Sequence, residues 1–245
     1  MESSFKPAGI QYTPEQQDAL EDMINWSHRA DDLFYTLEGA AGTGKTTVLN
    51  EFIRNNKFKP SAIAVTAPTH KAVRIVSQIT SLKGVTVQKL LGLRPNVILE
   101  DFDINNPKFD PRARKAILDY NLIIIDEASM VNRDLYHLVE SEATKYKVKV
   151  LYVGDSLQLP PVNEKLSLAF TKPTRRFKLK QIIRQSEGNP LLELLDNARS
   201  DVRNGSFKTY DFLKKNPVRF NDDGSGYICA GKEDFKQFIV KAFAS

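Results

Sequence analysis

The chain has 245 residues, with 35 basic side chains against 30 acidic ones and a net charge of +5. Its 41% hydrophobic and 27% charged residues are typical of globular proteins, which excludes a disordered chain and a collagen-like fibre. The single cysteine, Cys229, excludes an internal disulfide and a cysteine-based zinc site.

The first predicted element is a helix that opens at residues 13–16, Thr-Pro-Glu-Gln. Thr13 and Gln16 have the spacing of a capping box, in which each side chain bonds the other residue's backbone N–H, and the proline stands at the first helical position. We expect Trp26 to pack against the domain rather than stack on a base. The inward stripe of this helix is expected to consist of Leu20, Met23, Ile24 and Ser27.

Four short apolar runs rich in β-branched side chains predict strands at residues 34–37, 62–65, 122–125 and 148–153. Near-continuous apolar strands suit a parallel sheet that is covered on both faces. Amphipathic helical patterns lie between these runs, and the alternation of strand and helix predicts βαβ units in an α/β fold.

A glycine-rich segment, GAAGTGKT at residues 39–46, follows the first strand and precedes a predicted helix. It fits G-x-x-x-x-G-K-[ST], in which backbone N–H groups and a helix N-terminus converge on phosphates. In that arrangement Lys45 reaches the β- and γ-phosphates, and the Thr46 hydroxyl binds Mg²⁺. The alternative, a glycine-rich turn with an exposed lysine, is disfavoured by the strand before it and the helix after it.

Two acids, Asp126 and Glu127, directly follow the predicted strand at residues 122–125. Ligands of α/β proteins bind at this end of the strands. Asp126 fits the acid that holds Mg²⁺ in a P-loop NTPase, and Glu127 fits the base that orients the attacking water. Such a pair alone is more often a helix cap, but the glycine-rich segment favours the catalytic interpretation.

The segment at residues 94–111 has three prolines and two adjacent asparagines, and it predicts a hairpin or protruding loop inserted in the α/β scaffold.

The last of the four strands leads into Gly154 and Asp155 and then to Gln158. An amide at this place can sense a γ-phosphate by exchanging hydrogen-bond partners. The alternative is a glutamine on a surface loop.

The stretch at residues 165–184 has seven basic residues and no acid, a pattern typical of a solvated face that can attract DNA phosphates. After it, a helix is predicted to begin at Pro190 and to end at Gly205. We expect its apolar stripe to face inwards, with the residues Leu191, Leu194, Leu195, Ala198 and Val202.

Together these motifs resemble those of superfamily 1 DNA helicases, and the set is most similar to the RecD-like and phage Dda-type enzymes of superfamily 1B. The order and spacing match from residue 13 to residue 205. The matching motifs are YTPEQQDAL (12–20), GAAGTGKTT (39–47), APTHKA (67–72), IIIDEASM (123–130), VGDSLQLPPV (153–162) and LKQIIRQ (179–185).

The resemblance implies a RecA-like P-loop NTPase domain that uses ATP and Mg²⁺, with a mostly parallel sheet flanked by helices and a small inserted hairpin subdomain. It also implies ATP-driven translocation along single-stranded DNA in the 5′-to-3′ direction. Gln16 corresponds to the glutamine that reads adenine, a role that competes with the capping box for the same side chain. The nucleotide is expected at Gln16, Gly39, Ala40, Ala41, Gly42, Thr43, Gly44, Lys45, Thr46 and Thr47, and Mg²⁺ at Thr46 and Asp126.

The same resemblance implies roles in catalysis and in DNA contact. Gln158 is similar to the γ-phosphate sensor, and Arg184 is similar to the arginine that neutralises charge in the transition state. The expected catalytic residues are Lys45, Asp126, Glu127, Gln158 and Arg184. DNA contacts are expected from Pro68, Thr69, His70, Thr86, Val87 and Gln88; the family often has histidine at this last position.

Members of this family work with two RecA-like domains, and nothing after residue 205 resembles their later motifs. We therefore expect residues 1–245 to form the N-terminal motor domain, residues 94–111 to form its pin subdomain, and the second RecA-like domain to be absent. This domain alone is expected to bind nucleotide weakly and to hydrolyse it slowly. The alternative is a non-catalytic, nucleotide-switched module that binds single-stranded DNA. A P-loop kinase is disfavoured, since residues 67–72 and 153–162 fit a translocase.

The expected partners are single-stranded DNA and proteins of replication, recombination or repair. The apolar runs are far shorter than the ~20 residues that span a bilayer, and the N-terminus lacks the apolar core of a signal peptide, so no membrane contact is expected. We expect a monomer in the cytoplasm, or in the host cytoplasm if the protein is phage-encoded.

Overall fold

The computed structural model describes residues 11–95, 109–111, 116–183, 190–222, 224, 226–231 and 234–235. The chain divides into two compact units, which comprise residues 1–183 and 184–245. Among the described helices, none combines the length and the apolar character that a bilayer crossing requires.

The described part of the first unit consists of helices that alternate with strands. The helices are α1 (Pro14–His28), α2 (Lys45–Asn55), α3 (His70–Thr80), α4 (Val87–Leu90) and α5 (Arg133–Tyr146). The strands are β1 (Phe34–Gly39), β2 (Ile63–Ala67), β3 (Gly84–Thr86), β4 (Leu93–Pro95), β5 (Phe109–Pro111), β6 (Leu122–Ile125), β7 (Lys149–Gly154) and β8 (Arg175–Leu179).

Six of these strands form one sheet in the order β3-β2-β6-β7-β1-β8, and every pair of neighbours is parallel. This confirms the expected α/β fold with a mostly parallel sheet. The four predicted strands are β1, β2, β6 and β7, with bounds that agree within two residues. The two strands at the edges of the sheet, β3 and β8, were not expected from the sequence.

The core lies on both faces of this sheet. Along β6, Leu122 and Ile124 face one apolar cluster, whereas Ile123 and Ile125 face the other. Successive side chains of a strand point to opposite faces, so a central strand that is covered on both sides must be apolar at every position. The continuous LIII run of this strand is therefore a direct consequence of its place in the middle of the sheet.

Trp26 of α1 packs in the core, as expected. Its side chain is 0% exposed, and its ring centroid lies 5.2 Å from that of Tyr35 and 6.3 Å from that of Phe52. The ammonium group of Lys149 lies 4.6 Å from the centroid of the indole ring and donates a hydrogen bond of 2.6 Å to the carbonyl oxygen of Asp32. The charge of this buried lysine is thus held between a π-face and a backbone carbonyl.

Stability is expected to rise with pH above neutrality because of Lys149. Burial, followed by the nearby charge of Lys57, lowers the pKa of its ammonium group to about 8, against 10.5 for an ordinary lysine. Between these two values the unfolded chain binds more protons than the folded chain, so the free energy of unfolding increases with pH. The gain is about 2 kcal/mol between pH 7 and pH 9.5.

Urea unfolding at these two pH values measures that gain. Lys149→Met should abolish it, whereas Lys145→Met, which removes an exposed lysine beside the Tyr146 ring, should keep it. Equal stability of the parent protein at the two pH values would contradict this role of Lys149.

The inserted segment begins and ends as an antiparallel strand pair. Residues 93–95 of β4 pair with residues 109–111 of β5, which is the arrangement expected at the base of a hairpin. Residues 96–108 of the expected pin lie outside the described residues.

The second unit contains α6 (Pro190–Asn204), α7 (Lys208–Lys215) and an antiparallel pair formed by β9 (Val218–Phe220) and β10 (Gly226–Ile228). Helix α6 begins at the expected proline, and Gly205 follows its end with a φ of +61°. The expectation that the whole apolar stripe of α6 faces inwards was wrong, since Leu191, Leu195 and Val202 are exposed. The described residues of this unit form two helices and one hairpin, which are too few to cover the full stripe.

Candidate nucleotide site

The candidate site lies at the carboxyl-terminal edge of the parallel sheet, where β1, β6 and β7 end. The glycine-rich segment follows β1, the two acids follow β6, and the loop that carries Gln158 follows β7. Because these strands are neighbours and parallel, the three segments emerge at the same edge. The sheet therefore brings together motifs that are far apart in the sequence.

The glycine-rich loop has the backbone conformation that its glycines permit. Gly42 and Gly44 have φ values of +85° and +82°, in the left-handed region that other residues rarely adopt. A Cβ atom on Gly39 would lie 2.6 Å from the Thr43 hydroxyl oxygen, so this position also has room only for glycine. Lys45 donates from its ammonium group to the carbonyl oxygens of Gly39, at 2.7 Å, and Ala40, at 2.9 Å.

The first turn of α2 is suited to an anion. Its N-cap is Gly44, which has no side chain to accept from the N–H groups of this turn, and the turn contains no acidic residue. Unpaired N–H groups and the partial positive charge of a helix N-terminus favour a bound phosphate. Thr46 is exposed in this turn, Thr47 is half-buried, and Ala41 is exposed at the tip of the loop.

Gln16 holds the start of α1 against the glycine-rich loop. Its Oε1 atom accepts from the backbone N–H of Thr13 at 3.1 Å, and Thr13 Oγ1 accepts from the backbone N–H of Gln16 at 3.3 Å, so the capping box is present. Its Nε2 atom donates to the carbonyl oxygen of Thr43 at 3.3 Å. The side chain is 4% exposed. Contact of Gln16 with adenine stays a prediction.

Replacing Gly44 by alanine is expected to disturb the loop and the start of α1 together. The new Cβ atom would lie 2.0 Å from Nε2 of Gln16, which must then leave its partner in the loop, and the positive φ adds a strain of about 1 kcal/mol. Gly205→Ala is the matched control, since Gly205 also has a positive φ of +61° but nothing lies within 4 Å of the new methyl group.

Thermal unfolding and nucleotide affinity measure the two effects separately. Gly205→Ala should lose only the small amount of stability that its positive φ costs, Gly44→Ala should lose more because it also displaces Gln16, and only Gly44→Ala should lose affinity for nucleoside triphosphates, by 10-fold or more. Equal affinities of the two variants would contradict the proposed fit between Gln16 and the loop.

The two acids at the end of β6 have an unusual backbone. The N–H of Asp126 donates to the carbonyl oxygen of Thr66 at 2.9 Å, which fixes the end of β6 against β2. The N–H of Glu127 donates to Oδ1 of Asp126, also at 2.9 Å. Glu127 has a φ of +52° and a ψ of +43°, a left-handed conformation that costs about 1–2 kcal/mol for a residue other than glycine. Strain of this kind is retained where a side chain has to point in one particular direction.

Burial raises the pKa of both carboxyl groups. For Asp126, the hydrogen bond from Glu127 N–H and the charge of Lys45 oppose this effect. For Glu127, the charge of Asp126 raises the pKa further, Lys45 lowers it, and Asp155 raises it slightly. The positive charge of Lys45 therefore lowers the pKa of both acids, so that the ammonium group interacts electrostatically with both carboxylates.

The loop after β7 turns back on itself at Asp155. Oδ1 of Asp155 accepts from the N–H of Leu157 at 3.1 Å, and its carbonyl oxygen accepts from the N–H of Gln158, also at 3.1 Å. Gln158 is exposed and lines a cleft of about 830 Å³ together with Asp126, Glu127 and Thr69. The cleft is thus lined by the two carboxylates, by Gln158, and by Thr69, which the sequence analysis expected to contact DNA.

The residues expected to contact DNA lie on two neighbouring loops at the same edge. Ala67 of β2 is paired with Thr86 of β3, so the segments that follow these residues start side by side. Thr69 and Thr86 cap helices α3 and α4 by accepting from the N–H groups of Ala72 and Lys89, both at 3.2 Å. Pro68 and Gln88 are half-buried and His70 is exposed, but Val87 is 0% exposed in the core, so that any contact from Val87 would come from its backbone.

Arg184 lies outside the described residues. The residue before it, Ile183, donates its N–H to the carbonyl oxygen of Gly42 at 2.8 Å. Glu15 of α1 accepts from the backbone N–H groups of Lys180 and Gln181 at 2.9–3.0 Å. The segment that leads to Arg184 therefore runs along the glycine-rich loop.

Sequence reasoning missed Glu15 and Glu38, two acids that neighbour the glycine-rich loop. Glu38 accepts hydrogen bonds from the Ser156 hydroxyl and from the Lys178 ammonium group. The only signal in the sequence is the position of Glu38 directly before the glycine-rich segment. Its partners are remote in the sequence, and no spacing rule connects them to it.

Comparisons with known proteins identify the family to which this chain belongs. A model of the AAA domain family matches residues 11–216. The chain is 34% identical over 158 residues to the ATP-dependent RecD2 DNA helicase of Deinococcus radiodurans, covering 64% of this chain and 20% of that protein. It is 29% identical over 184 residues to the ATP-dependent DNA helicase Dda of Enterobacteria phage T4, covering 72% of this chain and 39% of that protein.

Solved structures show the same fold. The crystal structure of Pif1 helicase from Bacteroides in complex with ADP-AlF3 and single-stranded DNA matches with a TM-score of 0.58 and 23% identity, over 96% of this chain and 58% of that one. The chain thus spans from a fifth to under two thirds of the length of these relatives.

Proposed function

We propose that this chain binds ATP with Mg²⁺, hydrolyses it and uses the cycle to move along single-stranded DNA. The reason is that the chain belongs to the AAA domain family and is a motor domain of the superfamily 1B helicases. The observation that carries this proposal is that the glycine-rich loop with Lys45 and the two acids Asp126 and Glu127 emerge at the same edge of the parallel sheet. The direction of movement, 5′ to 3′, is proposed from the family.

The glycine-rich loop and the start of α2 would hold the phosphates. Their N–H groups and the Lys45 ammonium group supply the positive field, and the carbonyl bonds of Lys45 to Gly39 and Ala40 keep this charge at the centre of the loop. On binding, the ammonium group exchanges at least one of these carbonyls for phosphate oxygens. Gly42 and Gly44 supply the left-handed backbone that lets the loop curl around a phosphate.

The residues present fit Mg²⁺. Thr46 offers a hydroxyl oxygen and Asp126 a carboxylate oxygen, which are the hard ligands that this ion prefers. Among the described residues, no group of three or more His, Cys, Asp or Glu side chains is arranged to hold a metal ion by itself. That is compatible with Mg²⁺, which proteins usually hold through one or two side chains together with water and phosphates. When bound, the ion would neutralise charge on the phosphates.

Glu127 would orient the attacking water and accept its proton. Burial raises the pKa of Glu127, which makes its carboxylate a stronger base than an exposed one. Gln158, which lines the same cleft, would report whether the γ-phosphate is present. Thr69 also lines this cleft, so loss of the γ-phosphate would alter the same cavity that borders the expected DNA-contacting loop.

Single-turnover hydrolysis tests the proposal. With protein in excess over radiolabelled ATP, the rate constant should rise when a single-stranded oligothymidine is added, and a blunt duplex of the same length should have a smaller effect. Absence of hydrolysis under both conditions, with an ATP-dependent change in DNA affinity, would instead support the nucleotide-switched binding module.

A further inference from the structure

We propose that Glu38 is a positioning residue for Gln158, because it ties the loop after β7 to the strand that carries the glycine-rich loop. This inference rests on the proposed nucleotide function, in which Gln158 senses the γ-phosphate. The loop after β7, residues 155–163, is called the sensor loop below.

Glu38 stands at the junction of three strands. It is followed directly by Gly39, the first residue of the glycine-rich loop, and in the sheet it lies opposite Gly154 of β7 on one side and Lys178 of β8 on the other. Its side chain is only 14% exposed. Oε1 of Glu38 accepts from the hydroxyl of Ser156 and from the ammonium group of Lys178.

Ser156 lies within the turn that places Gln158. Asp155, which is buried, closes this turn with its own carboxylate and carbonyl oxygens, and these bonds are local to the loop. The bond from Ser156 to Glu38 is different in kind, since it connects the loop to β1. The backbone that carries Gln158 is therefore held against the end of β1, where the phosphate-binding loop begins.

Sensing of the γ-phosphate depends on the position of these two loops relative to each other. An amide can distinguish ATP from ADP only if its distance from the γ-phosphate is set within a few tenths of an ångström. Gln158 itself is exposed, so its own packing does not fix it. The hydrogen bonds of Asp155 shape the turn locally, and the Ser156 hydroxyl on Glu38, two residues before Gln158, ties that turn to β1.

Lys178 has a separate role in this cluster. A carboxylate beside a phosphate-binding loop would repel the triphosphate, and the ammonium group of Lys178 compensates its charge. The Lys178 side chain is about half exposed, so this ion pair is screened by solvent. We therefore assign the positioning effect to the hydroxyl of Ser156, and charge compensation to Lys178.

The test compares four variants with the parent protein. Glu38→Ala and Ser156→Ala remove the link, Glu38→Gln keeps an acceptor oxygen for the hydroxyl, and Lys178→Met removes only the ion pair. The measurements are the single-turnover rate constant for ATP hydrolysis, the affinities for ATP and ADP, the unfolding midpoint, and hydrogen exchange of the sensor loop by mass spectrometry.

The link predicts one pattern in these data. Glu38→Ala and Ser156→Ala should each lower the hydrolysis rate constant about 10-fold, and the double variant should be no slower than either single one. Glu38→Gln should return to within about threefold of the parent, and Lys178→Met should stay near the parent. ADP affinity should be unchanged in Ser156→Ala, which removes the link without changing any charge, because ADP lacks the group that Gln158 senses.

Hydrogen exchange separates this inference from the proposed function. The amides of Leu157 and Gln158 should exchange faster in the two alanine variants and at the parental rate in Glu38→Gln, whether or not the protein hydrolyses ATP. Unchanged exchange in Glu38→Ala, or additive effects in the double variant, would overturn the inference. A parent protein that binds no ATP would overturn the proposed function instead, and the exchange data would still decide the link.

Discussion

Replacing Glu127 by glutamine is expected to lower the single-turnover rate constant for ATP hydrolysis by 10²–10³-fold, with ATP affinity within about threefold of the parent. A positioned general base contributes about 10²–10⁴-fold to a reaction of this kind. The amide keeps the size and the hydrogen-bonding reach of the carboxylate but accepts a proton far less readily. The effect should therefore fall on the chemical step and spare binding.

The backbone of Glu127 makes this prediction specific. The residue keeps a left-handed conformation in which its N–H donates to Asp126, and although it stands at the N-cap of the short helix at residues 128–130, its side chain makes no capping hydrogen bond. We infer that the conformation is retained because it aims the carboxylate into the cleft. Glutamine at this position keeps the backbone as it is, so a loss of activity reports on the carboxylate.

The control for Glu127→Gln is Glu21→Gln, which changes the same chemical group at an exposed position of α1. It should match the parent in rate and affinity. A Glu127→Gln variant that hydrolyses ATP as fast as the control would show that the water is activated elsewhere.

Replacing Trp26 by alanine is expected to destabilise the first unit by about 3–5 kcal/mol, the usual range for truncating a large aromatic side chain in a core. The indole ring contacts Tyr35, Phe52 and the Lys149 ammonium group, and its removal would leave a cavity beside all three. Since α1 also carries Gln16 at its start, loosening this helix should weaken nucleotide binding too.

Circular dichroism is the right measurement for Trp26→Ala, because Trp26 is the only tryptophan and its fluorescence is lost with it. The unfolding midpoint should fall by about 10 °C. Leu118→Ala, at an exposed position of the same unit, should change the free energy of unfolding by less than about 0.5 kcal/mol. Equal midpoints for the two variants would mean that α1 does not contribute to the core as its contacts indicate.

The central strands could be predicted from the sequence because burial on both faces leaves a continuous apolar run, as in β6. The edge strands could not. In β8, basic side chains alternate with Phe177 and Leu179, and this sequence fits a solvent-exposed basic stretch equally well. Its place was settled by pairing with β1, and a pairing partner cannot be inferred from one strand alone.

The local geometry of the candidate site was largely predictable where it depends on neighbours in the sequence. The glycine-rich loop needs glycine at fixed positions, and the acids after β6 follow from the polarity of parallel strands. The capping box of Thr13 and Gln16 was also predictable from spacing, and the structure contains both of its bonds. The left-handed conformation of Glu127 was not, since glutamate has no preference for it.

The link from Ser156 to Glu38 was out of reach for a different reason. The two residues are 118 positions apart and meet only because β1 lies between β7 and β8. A serine in a loop and a glutamate at a strand end are each common on surfaces. Only the order of strands in the sheet turns them into neighbours of the phosphate-binding loop.

Equilibrium binding of ATP, measured by calorimetry in the presence of Mg²⁺, tests the central claim most directly. The account predicts that the parent protein binds ATP and that Lys45→Ala weakens binding by about 10–100-fold, because a charged donor to the phosphates is worth about 1.5–3 kcal/mol. Lys145→Ala, at an exposed position on α5, should bind as the parent does. A parent protein that does not bind ATP, or a Lys45→Ala variant that binds it equally well, would contradict the account.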